Sequence, residues 1–287
     1  MKKLLALVLS LALSLTMVAC GSSAPAADGG DAKETLKVAI SPDFAPMEFV
    51  DLSKSGQDQY VGFDVSLSKY IAEELGMELE IMPMSFDACQ AAVATGKVHM
   101  SISGFSYTPE RAENYNLSDY YYAGDNETEQ TVIALKENVD KFTSPESFAG
   151  VKVGAQTASL QEALVNEQLV PQGAELVIFS DINTGVLQLK KGDFEAIAVA
   201  TGNGDAIAAN NPEVAVASFT FEVDESAENN LILLKKGDDE LTAKVNEILA
   251  KAYAAGLYGE WYAEAEELAG IDTAADVSYD DEGNVAQ

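Results

Sequence analysis

The sequence predicts an α/β protein in which two strand–helix series face each other across a cleft, and three observations predict it. Short, almost wholly apolar segments alternate with amphipathic helical ones twice along the 287 residues. Strands of that kind are buried on both faces, as parallel strands covered by helices are. Glycines close several of the helical stretches and polar capping residues open them, so the punctuation agrees with the periodicity. The chain's only arginine, Arg111, stands just past a Ser- and Gly-rich strand end in SISGFSYTPER, and open α/β sheets gather ligands beyond such ends.

The elements follow in order. Residues 1–19 read as an export signal: Lys2 and Lys3, an apolar run from Leu4 to Leu15, then small residues before Cys20. The run is too short to span a membrane. Met17-Val18-Ala19-Cys20 resembles a bacterial lipobox, which implies cleavage before Cys20 and lipidation of its thiol. Residues 20–34 have the Gly, Ala, Ser and Pro composition of a flexible tether. TLKVAIS (35–41) is a strand, and DVSLSKYIAEELG (64–76) a helix capped by Asp64 and ended by Gly76. ELEIMPM (strand), FDACQAAVATG (helix) and VHMSI (strand) complete the first series. The second runs QTVIAL, SPESFAG, VKVGA, SLQEALVNEQL, ELVIFS, DINTGVLQLKKG and EAIAVA. NLILLKKG and a long helix, DDELTAKVNEILAKAYAAG, come next, and residues 276–287 are an acidic tail.

Composition narrows the function. The formal charge is −30, and it becomes −32 without Lys2 and Lys3, since no acid precedes Cys20. A surface so acidic repels nucleic acid and anionic lipid. Cys89 has no second cysteine beyond Cys20, so no disulfide is expected, and a small buried thiol fits its helix-like surroundings. His99, the only histidine, has no Cys or His near it for a metal. TGNG (201–204) lacks the third glycine of a dinucleotide turn and reads as a loop opening a helix beside the cleft. No cofactor is expected.

Arg111 carries the functional signal. Sixteen lysines supply positive charge elsewhere, but a guanidinium offers a planar fork that grips a carboxylate with two parallel hydrogen bonds. Thr108, Pro109, Glu110 and Arg111 read as N-cap, N1, N2 and N3 of a helix. A cation in the first turn opposes the helix dipole, which makes sense if an anion sits between them.

Six stretches together, SPDFAPMEF, YVGFDVSLSKYIAEELG, SFDACQAAVATGKV, SISGFSYTPERAE, VKVGAQTASLQE and AAGLYGEWY, resemble the family 3 extracellular solute-binding proteins, receptors of polar amino-acid ABC importers. The resemblance implies a two-lobed periplasmic-binding-protein-like fold, each lobe an α/β sandwich, joined by two hinge strands near 128–131 and 226–231. Lobe 1 would comprise 35–129 plus 230–275, and lobe 2 would comprise 130–229. By position, Phe44 would stack on the ligand, with Phe86 opposite. The Gly104 carbonyl and the Ser106 amide and hydroxyl would meet its head group, with Ser103 adjacent. Arg111 would fork the carboxylate, and the loop from Gln156 through Ser159 to Leu160 would close over it. The implied partners are a small-molecule carboxylate, an amino acid or analogue, an ABC transporter permease, and the membrane through lipidated Cys20. One departure stands out. Ala200 occupies the position at which these receptors carry an aspartate for the ligand's ammonium. Either another acid supplies that charge, with Asp43 and Asp205 nearest by sequence, or the ligand lacks an ammonium. A binding receptor without enzymatic activity is the reading; an exported dehydratase-like enzyme on the same fold is the alternative.

Overall fold

The computed structural model describes residues 33–121, 129–224, 227 and 229–270. The export signal, Cys20, most of the tether and the acidic tail lie outside them. In chain order the first series comprises β1 (Thr35–Ile40), β2 (Asp43–Phe44), β3 (Glu48–Val50), β4 (Tyr60–Val61), α1 (Phe63–Glu74), β5 (Glu78–Pro83), α2 (Phe86–Ala94), β6 (Met100–Ser106), α3 (Pro109–Asn114) and β7 (Tyr115–Leu117). The second comprises β8 (Gln130–Leu135), β9 (Lys152–Gln156), α4 (Leu160–Leu164), β10 (Glu175–Phe179), α5 (Ile182–Lys191), β11 (Ala196–Ala200), α6 (Thr201–Asn210) and β12 (Val214–Thr220). The chain then returns through β13 (Asn230–Lys235), α7 (Asp239–Ala254) and α8 (Leu257–Ala269).

Two five-stranded sheets result, one ordered β5-β1-β6-β13-β7 and the other β10-β9-β11-β8-β12. Strands β2, β3 and β4 form a third, small sheet. The first sheet takes β13 from the far end of the chain, antiparallel to β6, so the chain crosses between the lobes twice. The expected crossings near 128–131 and 226–231 fall partly outside the described residues. Parallel pairing holds for β1 with β5 and β6, and for β9 with β10 and β11. Strand β8, whose apolar run also reads as a parallel strand, is instead antiparallel to both β11 and β12. Burial on both faces produces the same apolar run in either orientation, so composition does not separate the two.

Each lobe has its own core. In lobe 1, α1 and α8 pack around Phe63, whose ring lies within 6.1 Å of Tyr121, Tyr258 and Trp261. In lobe 2, Phe142, Phe148, Phe219 and Phe221 form an aromatic chain beneath the sheet. Among the described residues Phe44 alone packs against buried clusters of both lobes. Asp64 does not cap a helix. Helix α1 starts one residue earlier, with Gly62 as its N-cap, and Asp64 is fully buried. Among the described residues no helix is long and apolar enough to cross a membrane.

Candidate functional site

Strand β6 ends in Ser103-Gly104-Phe105-Ser106, and the chain turns at once into α3. Thr108 caps that helix, its hydroxyl accepting from the Arg111 amide at 3.1 Å. The cap fixes Arg111 at the third helical position and directs its side chain back under β6. There it is 4% exposed. Its central carbon lies 5.5 Å from the Phe86 ring centre and 5.2 Å from that of Phe105, and such faces attract a cation. The terminal nitrogens donate to the carbonyls of Ser106 at 2.7 Å and Ala158 at 2.9 Å, and Nε to Gln90 Oε1 at 3.4 Å. Among the described residues no Asp or Glu forms an ion pair with it. Burial lowers its pKa to about 10, still a full charge at neutral pH. Two of the five guanidinium N–H groups remain for a further acceptor.

A buried polar scaffold holds the β6 end in place. Ser103 donates its hydroxyl to Glu48 and accepts from the Ser41 amide at 3.0 Å. Asp64 accepts from the Gly104 amide at 2.9 Å and from the Tyr121 hydroxyl at 3.1 Å. Glu48 and Asp64 are fully buried, and each carboxyl bears on the other's protonation. Burial, with Asp64's charge beside it, holds Glu48 well above the usual carboxylate range; burial raises Asp64 to about 7. Two carboxyls so close cannot both ionise, so the pair keeps a proton at neutral pH. Gly104 itself is required. Its φ is +56°, and a Cβ there would stand 2.7 Å from the Phe44 ring.

Lobe 2 reaches the same place. Ser159 caps α4 by accepting from the Glu162 amide at 3.1 Å, and Ala158 before it has φ +62°, the only positive value off glycine among the described residues. That turn aims the Ala158 carbonyl at Arg111 and at Gln90 Nε2, 3.3 Å away. From lobe 1, Asp43 accepts from Gln156 Nε2 at 3.1 Å and from the Ile182 amide at 2.6 Å. Asn203, in the first turn of α6, donates to the Ala45 carbonyl at 3.0 Å. Asn210, at the end of the same helix, donates to the Ala269 carbonyl at 3.1 Å. The lobes are therefore closed on each other through several separate contacts.

All nine ligand residues expected from the sequence, Phe44, Phe86, Ser103, Gly104, Ser106, Arg111, Gln156, Ser159 and Leu160, line one interlobe cavity of about 30 Å³. That volume is on the scale of a water molecule, so an amino acid enters only when the lobes part. Phe86 lies on the guanidinium rather than free to face Phe44. Ala200, at the end of β11, also lines the cavity, and Asp205 does not. Asp43 is the only acid among the lining residues; burial, opposed by its bond to the Ile182 amide, raises it to about 7. Sequence reasoning missed Gln90, Asn203 and the lining residues Ser41, Gln161, Ile182, Ala198 and Val199. TGNG (201–204) is itself the first turn of α6 and not a loop before it. His99 accepts the Lys37 amide on Nδ1 at 2.9 Å. Cys89 is a buried free thiol, its pKa pushed by burial to about 12.

Two α/β lobes closed over a buried guanidinium define a two-lobed solute-binding protein. The chain belongs to the bacterial extracellular solute-binding proteins, family 3, whose family model matches residues 36–265. It is 28% identical to the arginine-binding extracellular protein ArtP of Bacillus subtilis (strain 168), over 87% of this chain and 92% of that protein. A Streptococcus pneumoniae amino acid ABC transporter substrate-binding protein, AbpA, crystallised with L-arginine, shares 34% identity over 83% of this chain and 97% of that one, with a TM-score of 0.75. An ancestral arginine-binding protein, solved with arginine and again with glutamine, matches at 31% identity, the arginine form over 81% of this chain and 98% of that one, and a TM-score of 0.72.

The shared proton makes a pH prediction. The native pair keeps a proton that the unfolded chain loses above about pH 4, so the folded state binds more protons and stability falls as pH rises from about 4 to 7, by about 1.4 kcal/mol per pH unit for one proton. Glu48→Gln keeps an acceptor for Ser103 and provides Asp64 with a permanent donor. Denaturant unfolding of parent and Glu48→Gln between pH 4 and 7 will show a shallower decline for the variant; equal slopes would mean that Asp64 holds the proton without Glu48, and no decline in the parent would mean that the pair titrates independently of the fold.

Proposed function

We propose that the protein captures an amino acid or a related small carboxylate in this cleft and delivers it to an ABC importer. The observation that carries the reading is Arg111, a buried guanidinium with no acid paired to it among the described residues, facing a cavity lined by both lobes. An unpaired buried charge is costly, and a ligand carboxylate is the partner that its remaining N–H groups fit. The relatives solved with arginine or glutamine, and those named for arginine or histidine, support a free amino acid as the ligand class.

In this reading the ligand carboxylate takes the place of the Ala158 carbonyl on Arg111 and receives the Ser159 hydroxyl and nearby amides. Phe44 covers the ligand, Gly104 and Ser106 receive its head group, and Gln156 and Leu160 close from lobe 2. The ligand bridges lobes and so binds the closed form better than the open one, which shifts the population. The family match and the relatives named as binding proteins favour a receptor over the dehydratase-like alternative. We further assign residues 1–19 to a lipoprotein signal and 20–34 to a tether. Cys20 is then the lipid anchor, the protein lies at the outer face of the cytoplasmic membrane, and the tether leads into lobe 1 (35–129 plus 230–275) and lobe 2 (130–229). Labelled palmitate fed to a host expressing the full chain will mark the parent and not Cys20→Ser, and label on both would exclude the anchor.

Arg111→Lys keeps the charge and loses the fork. Calorimetry with the amino acid that most raises the melting temperature will show binding weaker by about 1.5–3 kcal/mol, roughly 10- to 150-fold. Parent-like affinity would remove Arg111 from the site.

A further inference from the structure

Asp43 stands in the cleft with more to do than hold the lobes together. It comes from the short strand β2 of lobe 1, is 8% exposed, and is the only carboxylate among the residues lining the cavity. Its Oδ1 accepts from the Ser41 hydroxyl at 2.8 Å; its Oδ2 accepts from Gln156 Nε2 at 3.1 Å and the Ile182 amide at 2.6 Å. A carboxylate has about four acceptor positions, so Oδ1 has room for one more donor. The Gln156 amide also donates to the Ser180 carbonyl at 3.3 Å. A ligand cation that displaces Gln156 from Asp43 therefore still leaves that amide the Ser180 carbonyl as a partner.

The opposite wall offers nothing comparable. Ala200 ends β11 at the cavity with a methyl group, and Asp205 lies outside it. Arg111 and Asp43 are held to different parts of lobe 2, Arg111 to Ala158 and Asp43 to Gln156 and the start of α5. The cavity thus has one cationic and one anionic attachment point, and every other lining residue is neutral.

Resting on the reading of Arg111 as the carboxylate anchor, we propose that Asp43 receives the ligand's cationic nitrogen and so selects net-neutral zwitterions with a single cationic nitrogen. A dibasic amino acid brings a second cation, and an acidic one a second carboxylate, for which the cavity has no counter-charge. This separates the protein from relatives that bind arginine.

The test is a melting-temperature screen of the twenty amino acids and 4-aminobutanoate, then calorimetry on parent and Asp43→Asn. The calorimetry uses the tightest ligand and the same acid with hydrogen in place of its ammonium. The expected tightest ligand is net neutral. It binds the parent about tenfold or more tighter than its deaminated counterpart does. Asp43→Asn weakens the zwitterion by a similar factor and changes the deaminated acid less than about threefold. Arginine, lysine, glutamate or aspartate as the tightest ligand overturns the proposal, and so does an equal loss for both ligands, which would make Asp43 a lobe contact only. The parent's ranking of zwitterion, deaminated acid and arginine tests the claim even if the variant folds poorly. A screen in which no compound raises the melting temperature overturns the receptor reading and this proposal together; loss of binding in Arg111→Lys with no preference for the ammonium overturns this one alone.

Discussion

Everything in the cleft is arranged around one charge that the fold does not neutralise with an acid. Arg111 is buried under the end of β6, over the rings of Phe86 and Phe105, and held by two carbonyls and an amide oxygen. Carbonyl dipoles soften the desolvation of a guanidinium without cancelling its charge, and the lowered pKa of about 10 records what remains. One of the two carbonyls, that of Ala158, belongs to the opposite lobe. The charge that a ligand carboxylate would answer is therefore the same charge that draws the lobes together. Ligand capture and closure then become one event, because any anion that outcompetes the Ala158 carbonyl on Arg111 inherits its bridging position.

The supports around Arg111 divide the work. The Glu48–Asp64 pair, Ser103 and Tyr121 fix the β6 end from beneath, inside lobe 1. Placing two carboxyls in a core is expensive unless a proton and good donors accompany them, and what the arrangement secures is the backbone of Gly104 at the distance Phe44 allows. Apart from the Phe44 ring, contacts across the cleft are mostly polar: Asp43 to Gln156 and Ile182, Ala45 to Asn203, Ala158 to Arg111 and Gln90, Ala269 to Asn210. Polar contacts of this kind are exchanged for water at modest net cost, which suits lobes that must open. A continuous apolar seam would not.

Much of the site was legible because its determinants are local. Thr108-Pro109-Glu110-Arg111 announces a helix start, and the hydroxyl of Thr108 does cap it. The order and spacing of the motifs carry all nine expected residues to one cavity. Tertiary contacts mark where local reasoning stops. Asp64 has the residue type and position of a cap, yet the Gly104 amide and the Tyr121 hydroxyl claim it from 40 and 57 residues away. Asn203 meets Ala45 across 158 positions and Asp43 meets Ile182 across 139, and no periodicity reports such pairs. Strand β12, VAVASFT, was missed because half of it faces outward and its apolar run is broken. SLQEALVNEQL reads as one regular helix, but after Leu164 its turns first widen and then tighten before Gly173.

The most direct measurement is a crystal structure of the protein with the amino acid that stabilises it most. The account predicts both carboxylate oxygens at about 2.8 Å from Arg111 nitrogens, the guanidinium still over the Phe86 ring, and the Ala158 carbonyl displaced from its present bond. A ligand whose carboxylate lies elsewhere, with the bond between Arg111 and Ala158 intact, would contradict it.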